Sequence, residues 1–175
     1  MIIGLSGYAR SGKDTVAGML MGLHRYENRA FAEPIREAVY TLNPIIKDFG
    51  YTLKPTVDAY GWDVAKTMFP EIRRLLQSFG TEVGREMFGE TFWVDQAFKG
   101  LGTYSRVVFT DVRFPNEAAR IKLYGGQVWR VTRLGVGPIN NHISETALDD
   151  WDFNKIITND ADLQTLQDKI KEALA

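Results

Sequence analysis

Residues 7–15 read GYARSGKDT, and the order glycine, four spacers, glycine, lysine suits one task. Gly7 and Gly12 let backbone N–H groups turn towards an anion, and a helix starting just afterwards presents the positive end of its dipole to the same point. Lys13 adds a cation that reaches the outer phosphates of a polyphosphate. Where the pattern normally carries Ser or Thr after its lysine, this chain has Asp14, with Thr15 one place further on. A bare carboxylate repels phosphate. Asp14 therefore either shares a magnesium ion with the phosphates or complements the helix N-terminus and points elsewhere.

A second group of chemical residues lies a hundred positions downstream. The apolar run of VVFTD ends on Asp111, and Arg113 follows in DVRFPNE. In open α/β sheets ligands bind at the carboxyl ends of strands. There Asp111 holds a magnesium water or a substrate oxygen, or else it caps the next helix. A carboxylate and a guanidinium beside a phosphate loop suit phosphoryl transfer, in which metal and cations neutralise spreading charge. Arg73, Arg74 and Gln77 share one helix side, with Arg85 beyond them, and arginine forks match phosphate bidentately. That side is either a dock for an acceptor phosphate or a solvated face. Of the four tryptophans, Trp93 is the one read as a stacking platform for a base, because it follows this arginine-rich segment. Arg130 and Arg133 flank the start of loop 133–142, which is either a mobile cationic lid or a plain connection. His24 and His142 are the only histidines, too few for a histidine metal centre. Ser144 and Glu145, in HISET, read as a helix start.

These residues need elements to hold them. IIGLS (2–6) is a buried strand running into the glycine loop, and Val16, Met19, Leu20 and Leu23 fall at helical spacing. RAFA (29–32) reads as a second strand and EPIREAVYTL as a helix with Pro34 in its first turn. Residues 43–70 show no sustained period and are taken as an insertion. EIRRLLQSF puts Ile72, Leu75, Leu76 and Phe79 on one helical face, and Gly80, Gly84 and Gly89 then break the chain into short helices through Trp93. SRVVFTDV (105–112) reads as a central strand, NEAARIKLYGG as a helix, QVWRVT and NKIITND as strands. A last helix aligns Leu163, Leu166, Ile170 and Leu174. Strands alternating with helices predict an α/β fold, a parallel sheet covered on both faces.

Composition narrows the class. At 175 residues, 45% hydrophobic and 25% charged, the chain has the makings of one globular domain. A formal net charge of -1 supplies no basic field, so polymeric nucleic acid is not expected as a partner. No cysteine is present, which agrees with a reducing compartment. No apolar run approaches a membrane span and no basic leader precedes MIIGLSG, so no membrane partner and a cytoplasmic location are expected.

Four stretches together, GLSGYARSGKDTVA, RRLLQSFGTEVGREMFGETFWV, VVFTDVRFPNEAARIKLYGGQVWRVTR and HISETAL with NKIITND, resemble the deoxynucleoside monophosphate kinases carried by bacteriophages. The resemblance implies a three-layer P-loop kinase fold over residues 1–175, with a five-stranded parallel sheet, a helical acceptor-binding insertion at 43–100 and a short lid at 133–147. It also implies magnesium-dependent transfer of the γ-phosphate of ATP to a deoxynucleoside monophosphate, with a homodimer left open. On this sequence the donor phosphates fall to Gly7, Tyr8, Ala9, Arg10, Ser11, Gly12, Lys13, Asp14 and Thr15, Arg10 being an extra cation. Arg73, Gln77, Thr81, Glu82, Arg85 and Trp93 become the acceptor site. Asp111 and Arg113 act on metal and phosphate, and Asp111 also reaches the acceptor; if Asp14 shares the magnesium, as its own charge suggests, Asp14 and Asp111 are the metal ligands. Arg130 or Arg133 is the lid arginine, and Asn159 and Asp160 lie beside the adenine. Two other readings keep the same loop: a small-molecule kinase of the dephospho-coenzyme A kinase type, and a nucleotide-dependent switch that transfers nothing. Against the switch, the chain has no Asn-Lys-x-Asp motif for reading guanine.

Overall fold

The computed structural model describes residues 1–47, 49–102, 105–139 and 143–175. The chain divides into two compact units: a sheet unit of Met1–Phe31 and Gly100–Ala175, and a helical unit, Ala32–Lys99, inserted between them in sequence.

In the sheet unit five strands, β1 (Ile2–Ser6), β2 (Glu27–Arg29), β3 (Val107–Phe109), β4 (Gln127–Thr132) and β5 (Lys155–Thr158), pair in the order β2-β3-β1-β4-β5. Every pairing is parallel. A parallel sheet must be covered on both faces, and β1 is buried at all five positions. On one face Val16 and Leu20 of α1 (Lys13–His24) and Leu166 and Ile170 of the C-terminal helix (Leu163–Leu174) pack with Ile3, Leu5, Val108, Trp129 and Val131. Each such aliphatic side chain contributes about 1.5–3 kcal/mol by leaving water. The other face receives the helix Pro115–Leu123. Its Ile121 comes so close to β1 that a Cβ at Gly4 would overlap Ile121 Cδ1, and Ile121 and Val112 would have to shift to admit it. The three-layer α/β architecture expected from the sequence is the one observed.

Three strands differ in extent from expectation, the last being Lys155–Thr158 within NKIITND. The second strand is Glu27–Arg29 rather than 29–32. The chain leaves the sheet because the Phe31 ring stacks on Phe109 at 4.6 Å and the Phe31 N–H donates to Asp111 Oδ1 at 2.7 Å. β3 is paired only over Val107–Phe109, although the extended chain goes on to place the Val112 N–H on Leu5 O.

The helical unit holds α2 (Glu33–Leu42), α3 (Leu53–Met68), α4 (Pro70–Ser78), a π-helical segment (Phe79–Met87) and α5 (Phe92–Phe98). Its core gathers Val39, Ile46, Leu53, Val57, Ala65, Phe69 and Ile72, with Leu75, Leu76 and Phe79 against them. Much of the stretch that shows no period in sequence is therefore α3. Gly61, at φ 72° and ψ 162°, kinks it, so no single helical repeat runs through. Gly80 and Gly84 do not separate short helices either; both lie within the π segment. A Cβ at Gly84 would overlap the Trp93 indole, whose Nε1 donates to Gly80 O at 2.8 Å. Gly84 is small so that a tryptophan can lie against the backbone, whereas a Cβ at Gly80 would press on Ile35 Cδ1. In the sheet unit two helices remain, α6 (Pro115–Leu123) and α7 (Ile143–Thr146), before the C-terminal α8 (Leu163–Leu174). Among the described residues no helix is long and apolar enough to cross a membrane.

Candidate active site

The loop joining β1 to α1 has the backbone its glycines permit. Gly7 stands at φ 147°, Arg10 at 68° and Gly12 at 104°, the last being the residue before α1. Two close approaches fix it. A Cβ at Gly7 would overlap Val131 O on β4, and one at Gly12 would overlap the Asn159 amide. That amide donates to Ser11 O at 3.0 Å, while the Asn159 N–H donates to Thr132 O at 2.8 Å. Asn159, expected beside an adenine, thus ties the loop to the ends of β4 and β5. Asp160, its expected companion, is engaged by Lys169 Nζ at 2.6 Å.

Lys13 folds over the loop it follows, donating to Gly7 O at 2.7 Å and Tyr8 O at 2.9 Å. Burial pushes its ammonium below the ordinary lysine value, and the Arg113 cation adds to this; Asp14 and Glu145 oppose it. An ammonium so placed gains from an arriving polyanion, whose negative charge replaces the hydration that burial has removed. Asp14 and Thr15 are both exposed in the first turn of α1, and Arg10 is exposed at the loop tip.

The carboxyl ends of β1, β3 and β4 meet around a narrow cleft. Ser6, Gly7 and Ala9 form its loop side, Arg113 and Arg130 bring the cations, and Ser144 and Glu145 face them. Arg130 is held firmly. Its guanidinium lies 4.6 Å from the Tyr8 ring centre and 5.5 Å from that of Phe153, and Nη2 reaches Asp149 Oδ1 at 2.7 Å. Tyr8 closes the group by donating its hydroxyl to Asp149 Oδ2 at 2.8 Å. Burial and this carboxylate together raise the Tyr8 phenol above its ordinary value. Arg113 pairs with Glu145 at 3.0 Å, and its N–H donates to the buried Glu117.

Asp111 sits at the end of β3 as expected, with Oδ1 committed to the Phe31 N–H. Among the described residues no cluster of three or more His, Cys, Asp or Glu side chains could hold a metal. A hard cation here would take carboxylate oxygen from the protein and its other ligands from phosphate and water, the habit of magnesium. Arg133 is exposed after β4 and does not line the cleft. Residues 140–142 of the expected lid, His142 among them, lie outside the described residues.

Within the helical unit Arg73 and Gln77 are exposed one turn apart on α4, Thr81 and Glu82 are exposed on the π segment, and Arg85 is partly buried there. π-helical turns are rare and gather at functional sites. Arg74 is held by Glu71 through two bonds of 2.7 Å. Trp93, expected as a stacking platform, is buried. Only 8% exposed, it packs against Gly84 of the π segment and spends its N–H on Gly80 O. Glu145, expected only as part of a helix start, lines the cleft, and Asp149 and Phe153, which no motif marks, brace Arg130.

The family profile of the deoxynucleotide monophosphate kinases matches residues 54–170. The chain belongs to that family. Among curated relatives, the deoxynucleotide monophosphate kinase of Escherichia phage RB69 is 32% identical over 108 residues, 59% of this chain and 44% of its own. That of Enterobacteria phage T4 is also 32% identical over 108 residues, covering 45% of the phage protein. The chain thus spans less than half the length of these two. A provisionally named deoxynucleotide monophosphate kinase of Acanthamoeba polyphaga mimivirus is 27% identical over 169 residues, 85% of this chain and 82% of its own. Among solved structures, TT1252 from Thermus thermophilus is 20% identical, covers 99% of this chain and 96% of its own, and has a TM-score of 0.40.

Proposed function

We propose that this chain transfers the γ-phosphoryl group of ATP to a deoxynucleoside monophosphate. The observation that carries the reading is the convergence of Lys13, Arg113 and Arg130 on the glycine loop at the carboxyl ends of β1, β3 and β4. Phosphoryl transfer asks little covalent work of the protein; positioned cations and a dry cradle constitute most of the catalyst.

In this reading the N–H groups of Gly7, Tyr8, Ala9, Arg10, Ser11 and Gly12 cradle the donor phosphates at the start of α1. Lys13 exchanges its two loop carbonyls for phosphate oxygens. Arg113 and Arg130 stand where negative charge spreads in the transition state, while Arg10 and Arg133, both exposed, are outer cations. Asp14 and Asp111 would hold magnesium, the exposed Asp14 through hard carboxylate oxygen with the Thr15 hydroxyl beside it. The metal would supply charge neutralisation at the phosphates. The acceptor falls to Arg73, Gln77, Thr81, Glu82 and Arg85 of the helical unit, with Trp93 as the post behind them. The setting is taken to be cytoplasmic, with neither nucleic-acid polymer nor membrane as partner.

The test is a coupled assay of ATP with each deoxy and ribo monophosphate, and with dephospho-coenzyme A. Diphosphate formation from deoxynucleoside monophosphates supports the reading. Transfer to dephospho-coenzyme A alone would favour the other kinase class. Arg73→Ala and Arg85→Ala should raise KM for the monophosphate more than for ATP.

A further inference from the structure

Glu145 stands apart among the groups around the loop, because a carboxylate beside a phosphate site repels the ligand unless its charge is engaged. Its side chain is 12% exposed, and Oε1 accepts from Arg113 Nη1 at 3.0 Å. Ser144 Oγ lies 3.5 Å from the same nitrogen. Arg113 is gripped at its other end as well: its backbone N–H donates to Glu117 Oε2 at 2.7 Å, and the same oxygen takes the Phe114 N–H at 3.0 Å. Glu117 is buried, so this anchor is rigid. The Arg113 side chain is 49% exposed, and its Nε and Nη2 have no partner among the described residues. A half-exposed arginine has many rotamers, and one held at the backbone and at a single guanidinium edge loses most of them before a ligand arrives.

We propose that Glu145 is a positioning residue: it fixes one edge of Arg113 so that the other edge is presented to the phosphoryl group in flight. This assignment rests on the phosphoryl-transfer reading above. It makes the short helix α7, and not the exposed Arg133, the part of residues 133–147 that completes the site. Preorganised donors act on the transition state more than on the ground state, so Glu145 affects turnover more than nucleotide affinity.

The experiment is a double-mutant cycle on the full chain with Glu145→Ala, Arg113→Ala and both together, alongside Glu145→Gln. Glu145→Ala lowers kcat about tenfold and changes KM for ATP by less than about twofold. Glu145→Gln recovers most of that loss, since its amide oxygen still accepts from Nη1. In the Arg113→Ala background Glu145→Ala costs nothing further, because the group it positions is gone. Should the alanine variant not fold, Glu145→Asp, one methylene shorter, enters the same cycle. Losses that multiply, a Gln variant as damaged as the Ala variant, or an effect confined to KM would each overturn the assignment while leaving the kinase reading intact. A parent that phosphorylates no monophosphate would overturn both.

Discussion

At the scale of single residues, the chemistry turns on two neighbours in the first turn of α1. Lys13 is partly buried and its ammonium is pushed below the ordinary lysine value, first by burial and then by Arg113. If its charge is required, kcat/KM for ATP, which reports the free enzyme, should fall on the alkaline side at a pH below the ordinary lysine value. A Lys13→Arg variant that retains turnover should move this limb upward, and a parent limb at or above the ordinary value would contradict the role. The sign for stability is opposite in sense. A depressed lysine disfavours folding while charged, so this cost fades as pH rises from the folded value towards the unfolded one. Asp14, exposed beside it, separates a bridging metal from a helix-end charge worth about 0.3–1 kcal/mol. With the bridge, Asp14→Ser binds metal-free ATP more tightly than the parent and gains less affinity on adding magnesium. An unchanged magnesium increment in ATP titrations would reject it.

At the scale of elements, the π segment and α5 make one packed pair. Gly84 has no room for a methyl group against Trp93, and Trp93 needs Gly80 O for its indole N–H. Gly84→Ala should destabilise the protein by about 1–3 kcal/mol, as overpacked cores do, and a denaturant midpoint equal to that of the parent would contradict this packing. The same elements show where sequence reading succeeds and stops. The phosphate loop is legible because strand, glycines and helix are contiguous. α4 is legible because its period is intact, and Ile72 is fully buried where the pattern puts it. α3 is not, because Gly61 resets the period midway. The end of a helix is also hard to read: Leu23 and Leu163 keep the apolar spacing of α1 and α8 yet are 53% and 65% exposed. Spacing specifies a face and not how far the opposing sheet extends.

At the scale of the whole molecule, strand order decides what the sequence cannot announce. Because β1 lies between β3 and β4, residues far apart in the chain, Tyr8, Arg113, Arg130, Glu145 and Asp149, come to one sheet edge. Lys13 and Arg113 were legible from a loop and a strand end. Glu145 and Asp149 were not, since their chemistry depends on partners supplied by other strands. The central claim is that this edge moves a phosphoryl group from ATP to a deoxynucleoside monophosphate. The most direct measurement follows the terminal label of γ-labelled ATP through the parent and a folded Lys13→Ala variant. The parent should place label in deoxynucleoside diphosphate, and the variant should lose at least roughly a hundredfold, about 2.7 kcal/mol at the transition state. Label released only as inorganic phosphate, or near-normal transfer by Lys13→Ala, would contradict it.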